Sequence, residues 1–534
     1  MHQRREPLCA KRWAALLAVA GGLVGVLAFP RFGIWPAAPV SVALLSLAVD
    51  GRRARTGAWL GYVYGATFLV PLLSWTGIYV GPGPWLILAL AFAAFFALLG
   101  ALLPILATLP AYPLWVGAAW VLQEALRDRL PFGGFPWGRL AFSQSTSPLR
   151  WFAALGGEPL LTFVVAGCGA GLASALIALR PVVDGRRPLA RPVAAGLAVA
   201  VAVPLAGLLL GAALSPGAPR RTERIAVIQG GLPDLALQFE SRAEQVLDNH
   251  IRQTMKLAAQ VRAGKAQRPD LVLWPENASD VDPFQVPGAY RKIDDAVRAI
   301  GAPVLVGAIL QGPGPTHRRN VGILWSPTTG PGARYVKRHP VPFAEYIPLR
   351  GIAEWVSSDA KTVTQDMVAG HGNGLVRGAG APIGDVICFE VAYDNLVHSS
   401  VADGAQLLVV QTNNATFGHT AETYQQLAMS RLRAVESGRT VVQVATTGKS
   451  AVIDADGDVV AESGTLFAPA IISRTVALRS AQTWATDVGA WPEYVLAAAA
   501  VVGVAVSGVR RRRAAPADRS AVAENDRQLE VART

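Results

Sequence analysis

The stretch GDVICFE, residues 384–390, runs two apolar residues into a thiol and follows it with an aromatic ring and a carboxylate. Val386 and Ile387 read as the end of a buried strand, which leaves Cys388 at that strand's carboxyl edge. A lone strand cysteine ordinarily fills a core as a small hydrophobe, so its surroundings decide its role. Outward from it, RIAVIQG (224–230), LVLWPE (271–276), VLVGAIL (304–310), VGILWSP (321–327), LLVVQT (407–412) and TVVQVAT (440–446) repeat the short, apolar, β-branched pattern. Between the first two, Leu247, Ile251, Met255, Ala258 and Val261 recur at three- and four-residue steps, the stripe of an amphipathic helix. Residues 420–439 carry another. This alternation, from about 222 to 480, predicts a layered α/β domain.

The rest of the chain differs in kind. Of 534 residues, 52% are hydrophobic and only 16% charged, whereas globular domains carry about a quarter charged residues. Long apolar runs fill residues 12–215, and one more precedes a polar tail. A helix needs roughly 20 apolar residues to cross a bilayer. Eight runs suit this: 12–29, 35–50, 57–77, 84–108, 112–126, 159–179, 193–214 and 491–509. The first reads as a retained span, because FPRFGIWPAAP (29–39) follows it where a cleaved signal would show small residues.

The net charge of +12 sits largely in clusters at 52–57, 180–191 and 510–513, beside apolar runs. That is the bias of cytoplasmic loops. It places tails 1–11 and 510–534 in the cytoplasm and residues 222–480 outside it, the tail being basic and disordered in composition. The exception is 127–150, an outward segment that holds Arg127, Arg129, Arg139 and Arg150. Neither a zinc-ligand spacing nor an aromatic–basic RNA-binding pattern accompanies the charge, so nucleic acid is not an expected partner. Cys9 and Cys168 lie before one apolar run and inside another, without the spacing of a disulfide framework or a metal site.

Polar residues gather where the strands of the α/β part end, the edge at which such folds build sites. Glu276 ends LVLWPE, Cys388 ends DVIC, and Asn413 and Asn414 follow LLVVQT. YVKRHPVPFAEYIP (335–348) adds Lys337 and Glu345 across two prolines that forbid a regular helix. Singly, each has an ordinary explanation: a structural ion pair for Glu276, a solvated basic face for Lys337 with Arg338 and His339. A Cys–His pair of Cys388 with His339 or His419 is also conceivable, though no spacing favours it.

Together, LWPENA, YVKRHPVPFAEYIP and ICFEVAYDN, in that order on an α/β background, resemble the Glu–Lys–Cys triad of the nitrilase superfamily. One branch carries such a domain between a bundle of membrane helices and a final C-terminal one: apolipoprotein N-acyltransferase. FPRFGIWPAAP, PFGGFPWGRLAFSQ (131–144) and VIQGGLP (227–233) are similar to that family as well. The resemblance implies an αββα sandwich on about eight membrane helices. It also implies an acyl transfer through a thioester on Cys388, from a phospholipid to the α-amino group of a diacylglyceryl-cysteine on an apolipoprotein. Carried over by motif, Glu276 would be the general base, Lys337 the oxyanion-stabilising cation and Cys388 the nucleophile, its pKa lowered by Lys337. Glu345 and Glu390 would support them, and the Phe389 N–H would be a second oxyanion donor. Phe343, Tyr346 and Asn413 would face substrate, and no metal or organic cofactor is implied. The chain departs from the family's SNDAWFG with TNNATFG (412–418), where Asn414 and Thr416 replace an acid and a tryptophan, and it offers Phe239 where a tryptophan is expected.

Loops 277–290 and 345–365, with Phe284, Phe343, Tyr346, Ile347 and Trp355, are expected to cover acyl chains. A membrane-anchored amidase or nitrilase would use the same triad, but one anchor would then suffice. A transporter or receptor would carry ionisable residues inside its spans, and these apolar runs hold almost none.

Overall fold

The computed structural model describes residues 7–510 except 79–80, 180–189, 218, 220, 233–242, 357–360, 362 and 379. Phe239, most of the 180–191 cluster and the tail beyond Arg510 lie outside the described residues.

Two sheets build the C-terminal half. The first contains β1 (Arg221–Gln229), β2 (Leu271–Leu273), β3 (Val304–Gln311), β4 (His317–Ser326), β5 (Gly330–Val336) and β6 (Asp366–Met367). The second contains β7 (Leu375–Val376), β8 (Ile383–Ile387), β9 (Leu407–Thr412), β10 (Val441–Ala445), β11 (Ala451–Ile453) and β12 (Val459–Glu462); β13 (Ala470–Leu478) returns to the first. The first runs β13-β1-β2-β3-β4-β5 with β6 against β4, and the second β12-β11-β10-β9-β8-β7. In each sheet the centre is parallel, β1-β2-β3 and β8-β9-β10.

Side-chain alternation sorts the layers. Ile225, Val227, Leu271 and Leu273 pack inward with Ile387, Val409 and Val442 of the other sheet. Ala226, Ile228, Val272 and Trp274 point outward and bury Leu247, Ile293 and Val297 of helices Ala243–Arg262 and Pro287–Ile300. Helices Asp394–Ala402 and Glu422–Ser437 cover the second sheet. This is the expected αββα sandwich. β8 stops at Ile387, because Cys388 takes a left-handed conformation and opens a 3-10 turn, Cys388–Ala392.

Helices Lys11–Leu27, Ala37–Val49, Ala54–Leu72, Pro82–Leu106, Tyr112–Arg127, Ala153–Ala178, Ala190–Leu214 and Trp491–Arg510 occupy the eight apolar runs. Among the described residues, four helices are long and apolar enough to cross a membrane: Pro82–Leu106, Pro148–Ala178, Val193–Leu214 and Trp491–Arg510. The long Pro148–Ala178 segment breaks at Gly156 and Gly157, whose non-helical angles set Glu158 at the start of its second half.

The outward arginines acquire a purpose here. Arg139 contacts Asp394 through two nitrogens at 2.7 and 3.0 Å, Glu158 at 2.6 Å and Asp128 at 3.1 Å. Arg433 of the sandwich reaches the same two acids, Glu158 at 3.0 Å and Asp394 at 2.8 Å, and also Glu436 at 2.5 Å. Arg129 pairs with Glu493 at 2.6 Å and Arg150 with Asp458 at 3.0 Å. Arg139 and Arg150 thus join the helical half to the sandwich and Arg129 joins it to the final helix, which is why they defy the charge bias of loops.

Candidate active site

Glu276 lies just beyond β2, where the chain turns through Trp274 and Pro275. β3 lets it approach by having Gly307 alongside: a Cβ there would stand 2.1 Å from the Pro275 carbonyl oxygen. Three donors converge on the Glu276 carboxylate. Lys337 Nζ is 3.0 Å and Asn320 Nδ2 2.7 Å from Oε1, and the Asn413 N–H donates to Oε2 at 2.9 Å. Lys337, the first residue after β5, is 2% exposed and also holds Glu345 at 2.9 Å. Burial alone would neutralise that ammonium; Glu276 and Glu345 keep it well above the usual lysine range. Glu345 is fixed in turn by the Val341 N–H at 2.7 Å and by Asn320 at 3.1 Å.

Cys388 caps β8 with φ at 56°, a strained value for a residue with a side chain. The bend lifts its sulfur out of the sheet's edge, and Cys388 is partly buried, not sealed. Burial pushes the thiol up, Glu276 adds to this, and Lys337 and Thr412 pull the other way without prevailing. Lys337 lowers the thiol, as expected, but burial and the Glu276 carboxylate outweigh it, so a base beside the sulfur is needed.

Glu390 ties the lysine segment to the cysteine strand. Its Oε1 accepts from the Tyr335 hydroxyl at 2.8 Å and from the N–H groups of Arg338 and His339 at 2.7 and 2.9 Å. Its Oε2 accepts from the Ile387 N–H at 2.9 Å. Burial raises this carboxyl, while Lys337 and these donors draw it back. His339 stacks on Tyr393 at 4.3 Å, and burial next to Arg338 and Lys337 lowers it to about 4. The His419 ring meets that of Phe467 at 5.0 Å.

The fold thus brings Glu276, Lys337, Glu345, Cys388 and Glu390 together. Asn413 serves through its backbone, and its side-chain oxygen accepts from the Ala415 N–H at 3.2 Å. The Phe389 ring stacks on Phe135 and Trp137 of the helical half, at 5.5 and 5.8 Å. Phe343 and Tyr346 sit on the rim against the 131–134 loop: Phe343 meets Phe132 edge-on at 6.1 Å, and the Tyr346 hydroxyl donates to the Phe132 carbonyl at 3.3 Å. Phe343 is 55% exposed and Trp355 87%, whereas Ile347 is buried. Phe284 does not join this rim. It stacks on Trp325 at 6.3 Å, in the outer helix layer, so its place in a cover over acyl chains is withdrawn.

Three residues were not singled out from the sequence. Asn320 is a polar side chain in the otherwise apolar half of β4, and Tyr335 precedes the lysine by two. Gln426 lies 3.7 Å from the Cys388 sulfur. Its signal was a polar stripe, Glu422, Gln425 and Gln426, on the buried face of helix Glu422–Ser437.

The model of an apolipoprotein N-acyltransferase N-terminal domain matches residues 21–171, and that of a carbon-nitrogen hydrolase matches 224–486. An apolipoprotein N-acyltransferase of Mycolicibacterium smegmatis is 39% identical over 507 residues, covering 92% of this chain and 84% of the relative. Those of Azotobacter vinelandii and Vibrio vulnificus are 30% and 26% identical, over 94% and 96% of this chain and 96% and 98% of theirs. Among solved structures, an amidase from Nesterenkonia sp. is 23% identical with a TM-score of 0.36, over 51% of this chain and 95% of its own. A helical half and a hydrolase-type sandwich, each matched by its own family model and both spanned by a relative 39% identical, make this chain a member of the apolipoprotein N-acyltransferase family.

Proposed function

We propose that the protein transfers a fatty acyl chain from a membrane phospholipid to the N-terminal amine of a diacylglyceryl-cysteine on an apolipoprotein. The observation that carries this reading is the Lys337 ammonium, 3.0 Å from Glu276 and 2.9 Å from Glu345, in a site that also holds a strained, partly buried Cys388.

Glu276 takes the thiol proton as the sulfur attacks the ester carbonyl. Lys337 and the Phe389 N–H, at the start of a helical turn whose first amides lack intrahelical partners, stabilise the tetrahedral oxyanion. The intermediate collapses, the C–O bond breaks, and Glu276 returns the proton to the departing glycerol oxygen of the lyso-phospholipid. The acceptor amine then attacks the thioester, gives its proton to Glu276, and the sulfur leaves as the thiol. Because the acceptor enters after the first product has left, the kinetics are ping-pong.

The chain is read as a cytoplasmic tail (1–11), seven spans within 12–215, an extracytoplasmic catalytic domain (222–480), an eighth span (491–509) and a cytoplasmic tail (510–534). This sets the site at the outer face of the cytoplasmic membrane, where both lipid-anchored substrates present themselves. Phe343 and Tyr346 on the rim offer the apolar cover that acyl chains need. Mass spectrometry of the purified protein mixed with phospholipid and no acceptor tests the reading. A fatty-acyl mass on the Cys388 peptide, released by a diacylglyceryl peptide and absent from Cys388→Ala, is the expected result. An unmodified Cys388, with turnover of small amides instead, would overturn it in favour of an anchored amidase.

A further inference from the structure

The catalytic scheme leaves the contact between Gln426 and the sulfur unused. Gln426 Nε2 stands 3.7 Å from Cys388 Sγ, within hydrogen-bonding range for sulfur, and Gln426 is fully buried. Which end of this amide faces the sulfur follows from its other neighbours. Its oxygen accepts from the Thr412 hydroxyl at 2.9 Å and from Asn414 Nδ2 at 2.9 Å. Two donors claim one end, so the NH2 end is left for Cys388.

Asn414 is locked as well. Its Nδ2 also donates to Glu422 Oε2 at 2.8 Å, which uses both of its hydrogens. Glu422 and Gln426 lie four residues apart on one face of the same helix, so one asparagine reaches both. Gly448 makes room for it: a Cβ there would stand 2.3 Å from Asn414 Oδ1.

We propose that Gln426 is a further catalytic residue, donating a hydrogen bond to the Cys388 sulfur that strengthens as the thiol becomes a thiolate, with Thr412 and Asn414 as the positioning residues that aim it. A neutral donor suits this place. Lys337 is already shared between two carboxylates, and a second buried cation would compete with it for them. This inference deepens the reading of Cys388 as a nucleophile and rests on it.

The test uses the full-length protein in detergent, as wild type, Gln426→Met (similar shape, no donor) and Gln426→Asn (a donor withdrawn by one methylene). Iodoacetamide labelling of the Cys388 peptide is followed by mass spectrometry across pH, which keeps Cys9 and Cys168 out of the signal. A lost hydrogen bond to a charged acceptor should move the labelling midpoint up by about one pH unit in Gln426→Met, roughly tenfold slower labelling below it. Gln426→Asn should shift in the same direction, and it decides the matter alone where Gln426→Met does not fold. Thioester formation should slow in parallel, with half-saturation by phospholipid unchanged. A midpoint that stays or falls would overturn the inference, since a fall means that Gln426 accepts from the thiol. If wild-type Cys388 takes no acyl group at all, the reading of the function falls instead, and the labelling series still decides how Gln426 meets the sulfur.

Discussion

The indole of Trp137 lies flat on the ring of Phe389, 5.8 Å between centroids and 5° from parallel. One residue belongs to the helical half, and the other directly follows Cys388. The same indole donates to Gln425 Oε1 at 2.7 Å, and Trp75 donates to that oxygen at 3.2 Å while its ring meets Phe417 at 5.0 Å. The membrane part therefore forms one wall of the site as well as anchoring it. Trp137→Ala should slow thioester formation and cost about 3–5 kcal/mol of stability, as large buried aromatics do. Trp137→Phe, which keeps a stacking ring, should lose far less of both. Single-turnover acylation and thermal unfolding of the two variants check this.

Lys337 separates stability from chemistry. Lys337→Met leaves Glu276 and Glu345 facing one another without their cation, which should cost about 3–5 kcal/mol. It should also slow acylation by roughly 10²–10³, the loss that follows removal of an oxyanion donor. Adding Glu345→Gln removes one of the two stranded charges. The double variant should regain part of the unfolding temperature and none of the acylation rate. Recovery of rate would assign Lys337 a structural role only.

Arg139 is the test of how the two halves hold together. It shares Glu158 and Asp394 with Arg433 in a cluster in which Arg139, Arg433 and Glu158 are buried and Asp394 is partly exposed. Removing one partner from such a cluster strands the others, so Arg139→Gln should destabilise by about 3–5 kcal/mol. Arg139→Lys should rescue little, because a single ammonium cannot reproduce the two-nitrogen contact with Asp394. Limited proteolysis should cut between the halves sooner in both variants. An unchanged cleavage rate would mean that apolar packing alone joins them.

Much of this is legible in the sequence, for physical reasons. Parallel strands buried on both faces write themselves as unbroken apolar runs, so β1, β3, β8, β9 and β10 stand out, as do Glu276 and Cys388 at their ends. Edge strands do not. β12 exposes alternate residues and β13 exposes 473–475 in a row, so VVAE or AIISRTVAL does not read as a buried strand. The partners of the triad are hidden for another reason: Asn320, Tyr335 and Gln426 reach it only through tertiary packing. Arg129, Arg139 and Arg150 look like exceptions to the loop-charge bias because Glu493, Asp394 and Asp458, which they pair with, lie hundreds of residues away. Asn414, a departure from the family motif, is 2% exposed and serves Glu422 and Gln426.

Glu422 gives that asparagine a measurable consequence. The carboxyl is 1% exposed; burial pushes it up to about 8, with Asn414 opposing and Glu276 adding to the rise. In the unfolded chain a glutamate titrates near about 4.3. Between these values the folded protein binds a proton that the unfolded chain has released, so stability falls as pH rises, until Glu422 ionises in the fold too. From pH 6 to 8 this amounts to about 2–3 kcal/mol at one pKa unit per 1.36 kcal/mol. Glu422→Gln keeps the shape and cannot ionise, so its unfolding temperature should fall less than the wild type's over that range and exceed it above pH 8. Asn414→Asp should do the reverse, since a second carboxyl beside Glu422 makes the charged form dearer still. Thermal unfolding of the three proteins at half-unit steps from pH 6 to 9 decides it. Parallel curves for wild type and Glu422→Gln would mean that the Glu422 carboxyl titrates in the fold as it does in the unfolded chain.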